Sequence, residues 1–161
     1  MKKLSYLIIS FILLININAC TGYKPIFSSS NIEFNIADHL ITGNKKLGNK
    51  IYSKLYNLSR TNKKTPKTKD IYILINVLKN KNPTAKDSTG KILAYKINLS
   101  TTVTVKDFTT ENKILDESFV LSSSYKVQDQ HYETIKLENK SIEDLINKTY
   151  TDLLIKLSEN I

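Results

Sequence analysis

Across residues 95–106 the chain alternates without a break. Tyr95, Ile97, Leu99, Thr101, Val103 and Val105 fall on one side, and Lys96, Asn98, Ser100, Thr102, Thr104 and Lys106 on the other. Successive side chains of a strand point to opposite faces, so this period of two specifies a strand with one apolar and one polar face. Strands of that kind belong to antiparallel sheets covered on one face and wet on the other. The rest of the chain must therefore supply partner strands, and something apolar to cover one side.

The partners can be read on either side. Residues 107–113 turn the chain back into a strand over 115–127, with Phe119, Leu121, Tyr125 and Val127 facing one way and Ser118, Ser122 and Ser124 the other. Residues 71–78 are a nearly continuous apolar run, which suits a strand in mid-sheet or one buried on both faces. Between them, residues 80–91 hold Pro83 and Asp87-Ser88-Thr89-Gly90, which is turn chemistry. Residues 31–38 alternate with Ile32, Phe34 and Ile36 on one side, a further short strand.

Two helices complete the pattern. One opens at Gly43-Asn44 and carries Leu47, Ile51, Leu55 and Leu58 along one face, widened by Tyr52 and Tyr56. Gly48 inside it costs about 1 kcal/mol relative to alanine. The second is expected to start at Ser141, with Asp144 three residues on as a capping box. Its stripe is Ile142, Leu145, Ile146, Thr149, Leu153 and Leu157. The order is β-α-β-β-β-α: an α+β fold with two helices packed on one face of a four-stranded mixed sheet. The opposite face is expected to be serine, threonine, asparagine and lysine.

Residues 1–19 have the parts of a secretory signal: Lys2 and Lys3, an apolar run from Leu4 to Ile15, and a small residue, Ala19, before Cys20. The run is too short for the roughly 20 residues of a membrane span. Ile17-Asn18-Ala19-Cys20 fits the aliphatic-x-small-Cys pattern of a lipoprotein signal, so Cys20 is the expected lipid-attachment site. An ordinary signal peptide with an incidental thiol is the competing reading. Acylation would make residues 20–30 a tether and residues 31–161 one domain. Thr21 after the cysteine, rather than aspartate, permits sorting to the outer membrane.

Charge is divided unevenly. Residues 44–96 carry 14 basic and 2 acidic side chains, while the remainder of the chain after Ala19 carries 8 basic and 13 acidic. A basic half of this kind suits phosphates, and in an exported domain lipid phosphate is the better candidate than nucleic acid. A plain solvated face is the alternative. Support for an enzyme is thin. His39 follows Asp38 at an expected strand end, and His131 falls in an expected polar turn. Neither has partners at metal-ligand or nucleophile spacing. No cofactor is expected beyond the covalent lipid.

Gly22-Tyr23-Lys24-Pro25-Ile26-Phe27, just after the cysteine, resembles the start of the LptE family of lipopolysaccharide-assembly lipoproteins, in particular its alphaproteobacterial branch. Thr21, between cysteine and glycine, is a departure from that pattern. The resemblance continues in Tyr95, Ser124-Tyr125, Tyr132 and the C-terminal helix ending Leu153-Leu154-Ile155-Lys156-Leu157. It implies four strands with two helices on one face, no enzymatic activity, binding of lipopolysaccharide, and a place as monomeric plug and assembly partner inside the outer-membrane barrel LptD, anchored by lipid on the periplasmic side. The family's lipopolysaccharide-linked basic positions fall here at Ser88 and Thr134, neither of them basic. Lys86, Lys91 and Lys136 lie close by and are the candidates to substitute. The runner-up class is an auxiliary lipoprotein of a phospholipid-trafficking ABC system; a third is a structural envelope lipoprotein.

Overall fold

The computed structural model describes residues 33–61 and 68–161. The signal segment, Cys20, residues 22–27 and the lysine-rich segment 62–67 lie outside the described residues. The elements are β1 (Phe34–Gly43), α1 (Lys45–Thr61), β2 (Lys69–Lys86), β3 (Ile92–Asp107), β4 (Lys113–Lys126) and α2 (His131–Asn160). The sheet order is β1-β2-β3-β4, with β1 parallel to β2 and the other pairs antiparallel. The fold class and element order expected from periodicity are those observed.

The core lies between one sheet face and the two helices. Ile71, Ile73, Ile75 and Val77 of β2, Ile97, Leu99, Val103 and Val105 of β3, and Ile51, Leu55, Ile146, Leu153 and Leu157 of the helices form one buried cluster. α1 packs over β1 and β2, α2 over β4 and β3, and the helices touch each other. Asn44 caps α1 by accepting the Leu47 N–H on its side chain at 3.2 Å. Its own N–H donates to Val77 O at 2.7 Å, which ties the helix start to β2.

Three elements and one sheet face differ from expectation. β1 continues past Asp38 to Gly43, because a bulge at Ala37 shifts its register against β2 between Ile36 and Asp38. The alternation therefore changes phase, and His39 and Ile41 take over the core side opposite Ile73 and Ile75. β2 runs on through Pro83 to Lys86, where a turn was expected. Its pairing with β1 ends at Val77, so beyond that point one side of β2 is an edge, and proline's missing N–H leaves no ladder bond broken.

α2 begins at His131 and is 30 residues long, about 45 Å. Ser141 is a buried residue inside it and not its cap. Finally, the outer sheet face is polar along β3 but not throughout. Tyr72, Leu74 and Leu78 of β2 share it with Leu40 of β1 and Val120 of β4, and Leu40, Leu78 and Val120 are exposed.

Candidate functional site

Phase explains how the site arises. Lys79 and Lys81 continue the alternation of Ile71, Ile73, Ile75 and Val77, so they project from the helix-covered face. In α2, Thr134 and Glu138 continue the stripe of Ser141, Ile142 and Leu145 back toward the helix start. Beyond the last aliphatic residues, then, both elements keep the same face turned inward but place polar groups on it.

Those groups meet. Lys81 Nζ donates to Glu138 Oε2 at 2.5 Å, and the Tyr125 hydroxyl donates to the same oxygen at 2.9 Å. Lys79 Nζ stands 3.8 Å from Glu138 Oε1. The Lys81 ammonium also lies 4.3 Å from the Tyr95 ring centroid and 5.6 Å from that of Tyr125. The two tyrosines are a cross-strand pair on β3 and β4 with rings 5.8 Å apart. Side-chain exposure is 32% for Lys81 and 20% for Glu138, so water screens the pair only in part.

Burial acts on each charge, and the partners outweigh it. Burial pulls the Lys81 ammonium down, but hydrogen bonds and charge from Glu138 and Tyr125 leave it above the usual lysine value. Burial pushes the Glu138 carboxyl up, but Lys81, Tyr125 and Lys79 hold it below the usual carboxylate value. The Tyr125 phenol is raised, chiefly by burial.

Beside this cluster opens a cleft of about 370 Å³ between the 87–91 turn and the first turns of α2. One wall carries Lys91, Ile92 and Tyr95; the other carries His131, Thr134, Ile135 and Glu138. The turn is held by Asp87, whose Oδ1 accepts N–H groups from Thr89 and Lys91 at 2.9 Å each, and by Gly90 at φ +87°, a conformation that suits glycine. The opposite wall is fixed where Thr134 Oγ1 accepts the Gln128 N–H at 2.8 Å. A second cleft of about 250 Å³, on the other side of Glu138, is lined by Asn44, Lys46, Leu47, Lys50, Lys79 and Ile142.

Solved structures share this architecture. A minor lipoprotein from Acinetobacter baumannii matches with a TM-score of 0.56 at 10% identity, over 81% of this chain and 92% of that one. A putative lipoprotein from Caulobacter crescentus matches at 0.54 and 13%, over 81% and 90%. The rare lipoprotein B from Shewanella oneidensis matches at 0.53 and 11%, over 76% and 94%. No family model matches the sequence, and no curated protein matches it. At these identities the likeness establishes the fold, which bacterial lipoproteins share.

Of the residues singled out in the sequence, Lys91 lines the cleft. Lys86, exposed at the end of β2, and Lys136, exposed on α2, do not. Cys20 lies outside the described residues. His131 belongs to the first turn of α2 and lines the cleft, rather than sitting in a polar turn. His39 stacks on Tyr52 at 3.9 Å. Among the described residues no group of His, Cys, Asp and Glu could hold a metal ion. Sequence reasoning missed Lys79, Lys81 and Glu138. The signal was present in the unbroken i, i+2 phase from Ile71 to Lys81, but it was cut short where the aliphatic residues stop.

The site also accounts for part of the charge division. Lys50 and Lys54 of α1 approach Glu143 at 2.8 and 3.7 Å, as Lys79 and Lys81 approach Glu138. The basic stretch of the chain thus meets the acidic stretch where α1 and β2 each contact α2, with two carboxylates facing four ammonium groups. Chemically, the arrangement can hold an anion beside apolar surface.

Proposed function

We propose that this chain is an envelope lipoprotein that binds lipopolysaccharide in the cleft between the 87–91 turn and α2. In this reading it serves as plug and assembly partner of an LptD-type outer-membrane barrel. The fold shared with bacterial lipoproteins supports the envelope assignment. No helix among the described residues is long and apolar enough to cross a membrane. In this reading attachment rests on acyl chains at Cys20, two or more of which anchor firmly.

One observation carries the ligand. The resemblance links two segments to lipopolysaccharide binding, the turn into β3 and the region of Thr134, and these form opposite walls of a single cleft. Lys81 and Lys91 supply ammonium groups for charge-assisted hydrogen bonds to sugar phosphates. Ile92 and Ile135 supply apolar surface beside them.

Affinity capture of the acylated chain from outer membranes tests the reading; recovery of no large β-barrel protein would defeat it. For the ligand, Lys81→Met and Lys91→Glu are expected to weaken lipopolysaccharide binding about tenfold or more each. Lys136→Glu, outside the cleft, is expected to change it little. Equal effects of all three would point to a diffuse surface charge and not to this cleft.

A further inference from the structure

The groups around Glu138 have the form of an anion site whose occupant is part of the chain. Two ammonium groups and a phenol hydroxyl, from β2 and β4, converge on one carboxylate carried by α2. One carboxylate balances only one of the two ammonium charges, so positive charge is left over beside Glu138. Glu138 lines both clefts and therefore has open space on the side away from Lys81, next to Lys46 and Lys50.

We propose that Glu138 is a displaceable stand-in for a phosphate group, which the ligand must move aside in order to bind Lys81 and Tyr125. A phosphate monoester carries about −1.5 to −2 charge at neutral pH and three strong acceptor oxygens. It can therefore satisfy both donors at once and outcompete a carboxylate of charge −1. A ligand carboxylate offers nothing that Glu138 does not already provide. The glutamate thus keeps the donors oriented in the free protein and makes the cleft selective for phosphate over weaker anions. On leaving Lys81, its side chain turns toward the second cleft, where Lys46, Lys50 and Lys79 receive it. This deepens the lipopolysaccharide reading, on which it rests for the natural ligand, but the phosphate nest itself can be tested without that ligand.

The test is calorimetric titration of inorganic pyrophosphate into the full chain in detergent, into Glu138→Gln, and into the Lys81→Met/Glu138→Gln double variant. Phosphatidylcholine vesicles with and without phosphatidic acid form a parallel arm. The glutamine variant should bind pyrophosphate about tenfold more tightly than the natural chain, and the double variant should lose that gain. Glu138→Asp, which draws the carboxylate back from Tyr125 while keeping a charge, should shift affinity the same way and serves if the glutamine variant does not fold. A gain with pyrophosphate alone assigns the nest to a free phosphate, and a gain on phosphatidic acid vesicles as well assigns it to a headgroup. Unchanged or weaker binding by both single variants, or a gain that survives loss of Lys81, overturns the proposal. Failure of the barrel capture would defeat the lipopolysaccharide reading and leave the pyrophosphate result standing.

Discussion

Lys81 of β2 and Glu138 of α2 are 57 residues apart in sequence and share a hydrogen-bonded ion pair of 2.5 Å. The pair joins the far end of the β2-β3 hairpin to the N-terminal third of the longest helix, beyond the reach of the aliphatic core. It does so with a tyrosine hydroxyl on the same carboxylate oxygen, so the junction is satisfied rather than merely neutral.

Acid should loosen that junction. The Glu138 carboxyl titrates below its ordinary value near 4.5, because Lys81, Tyr125 and Lys79 overcome the effect of burial. A lowered folded-state value means that stability is present above the unfolded value and is lost as pH falls through the folded one. Melting temperatures from pH 7 to pH 3 should show Glu138→Gln below the natural chain at neutral pH, with the gap closing in acid. A gap constant across that range would count against the ion pair as its source.

Gly48 should not tolerate alanine. Helix propensity alone would favour the change by about 1 kcal/mol. A methyl group there, however, would run into Ile41 Cγ2 of β1. Overpacking of this kind costs about 1–3 kcal/mol, so a net loss of about 1 kcal/mol is expected in denaturant unfolding. Adding Ile41→Ala should recover part of it, as a double-mutant cycle would register.

Ser141 separates two accounts of α2. Were it the cap, replacement by alanine would cost about 0.5–2 kcal/mol. Within the helix, the same change should alter the unfolding free energy by no more than about 0.5 kcal/mol. Helical amide protection at residues 131–140 under hydrogen exchange would confirm where the element begins.

Thr101 is fully buried on β3, and its hydroxyl has no hydrogen-bond partner among the described residues. Valine has the same shape without the polar atom. Thr101→Val should therefore raise stability by about 1 kcal/mol in chemical unfolding. A loss of stability would mean that the hydroxyl has a partner, such as a bound water, and would argue against the substitution's premise.

Period-two and period-3.6 signals were enough to read six elements, their order and the face on which the helices sit. Those signals are local: alternation over 95–106 or the stripe from Ile142 to Leu157 is complete within one segment, and burial of the apolar side follows wherever that segment packs. The ends of elements were not legible, and it is there that the candidate site lies. The bulge at Ala37 reverses the phase of β1, and no residue near it announces the reversal. In the same way Lys79, Lys81, Thr134 and Glu138 occupy inward positions with polar groups, which in a sequence look like loop.

The amino-acid sequence by itself determined the fold class and the helix-covered sheet face. Only the tertiary structure decided that β2 continues past Pro83, that α2 starts ten residues before Ser141, and that Lys81 belongs to the site. The reason is that a charge on a covered face is stable only beside a counter-charge and hydrogen-bond partners. For Lys81 those partners, Tyr125 and Glu138, arrive from a different strand and a different helix, and no window of sequence contains all three.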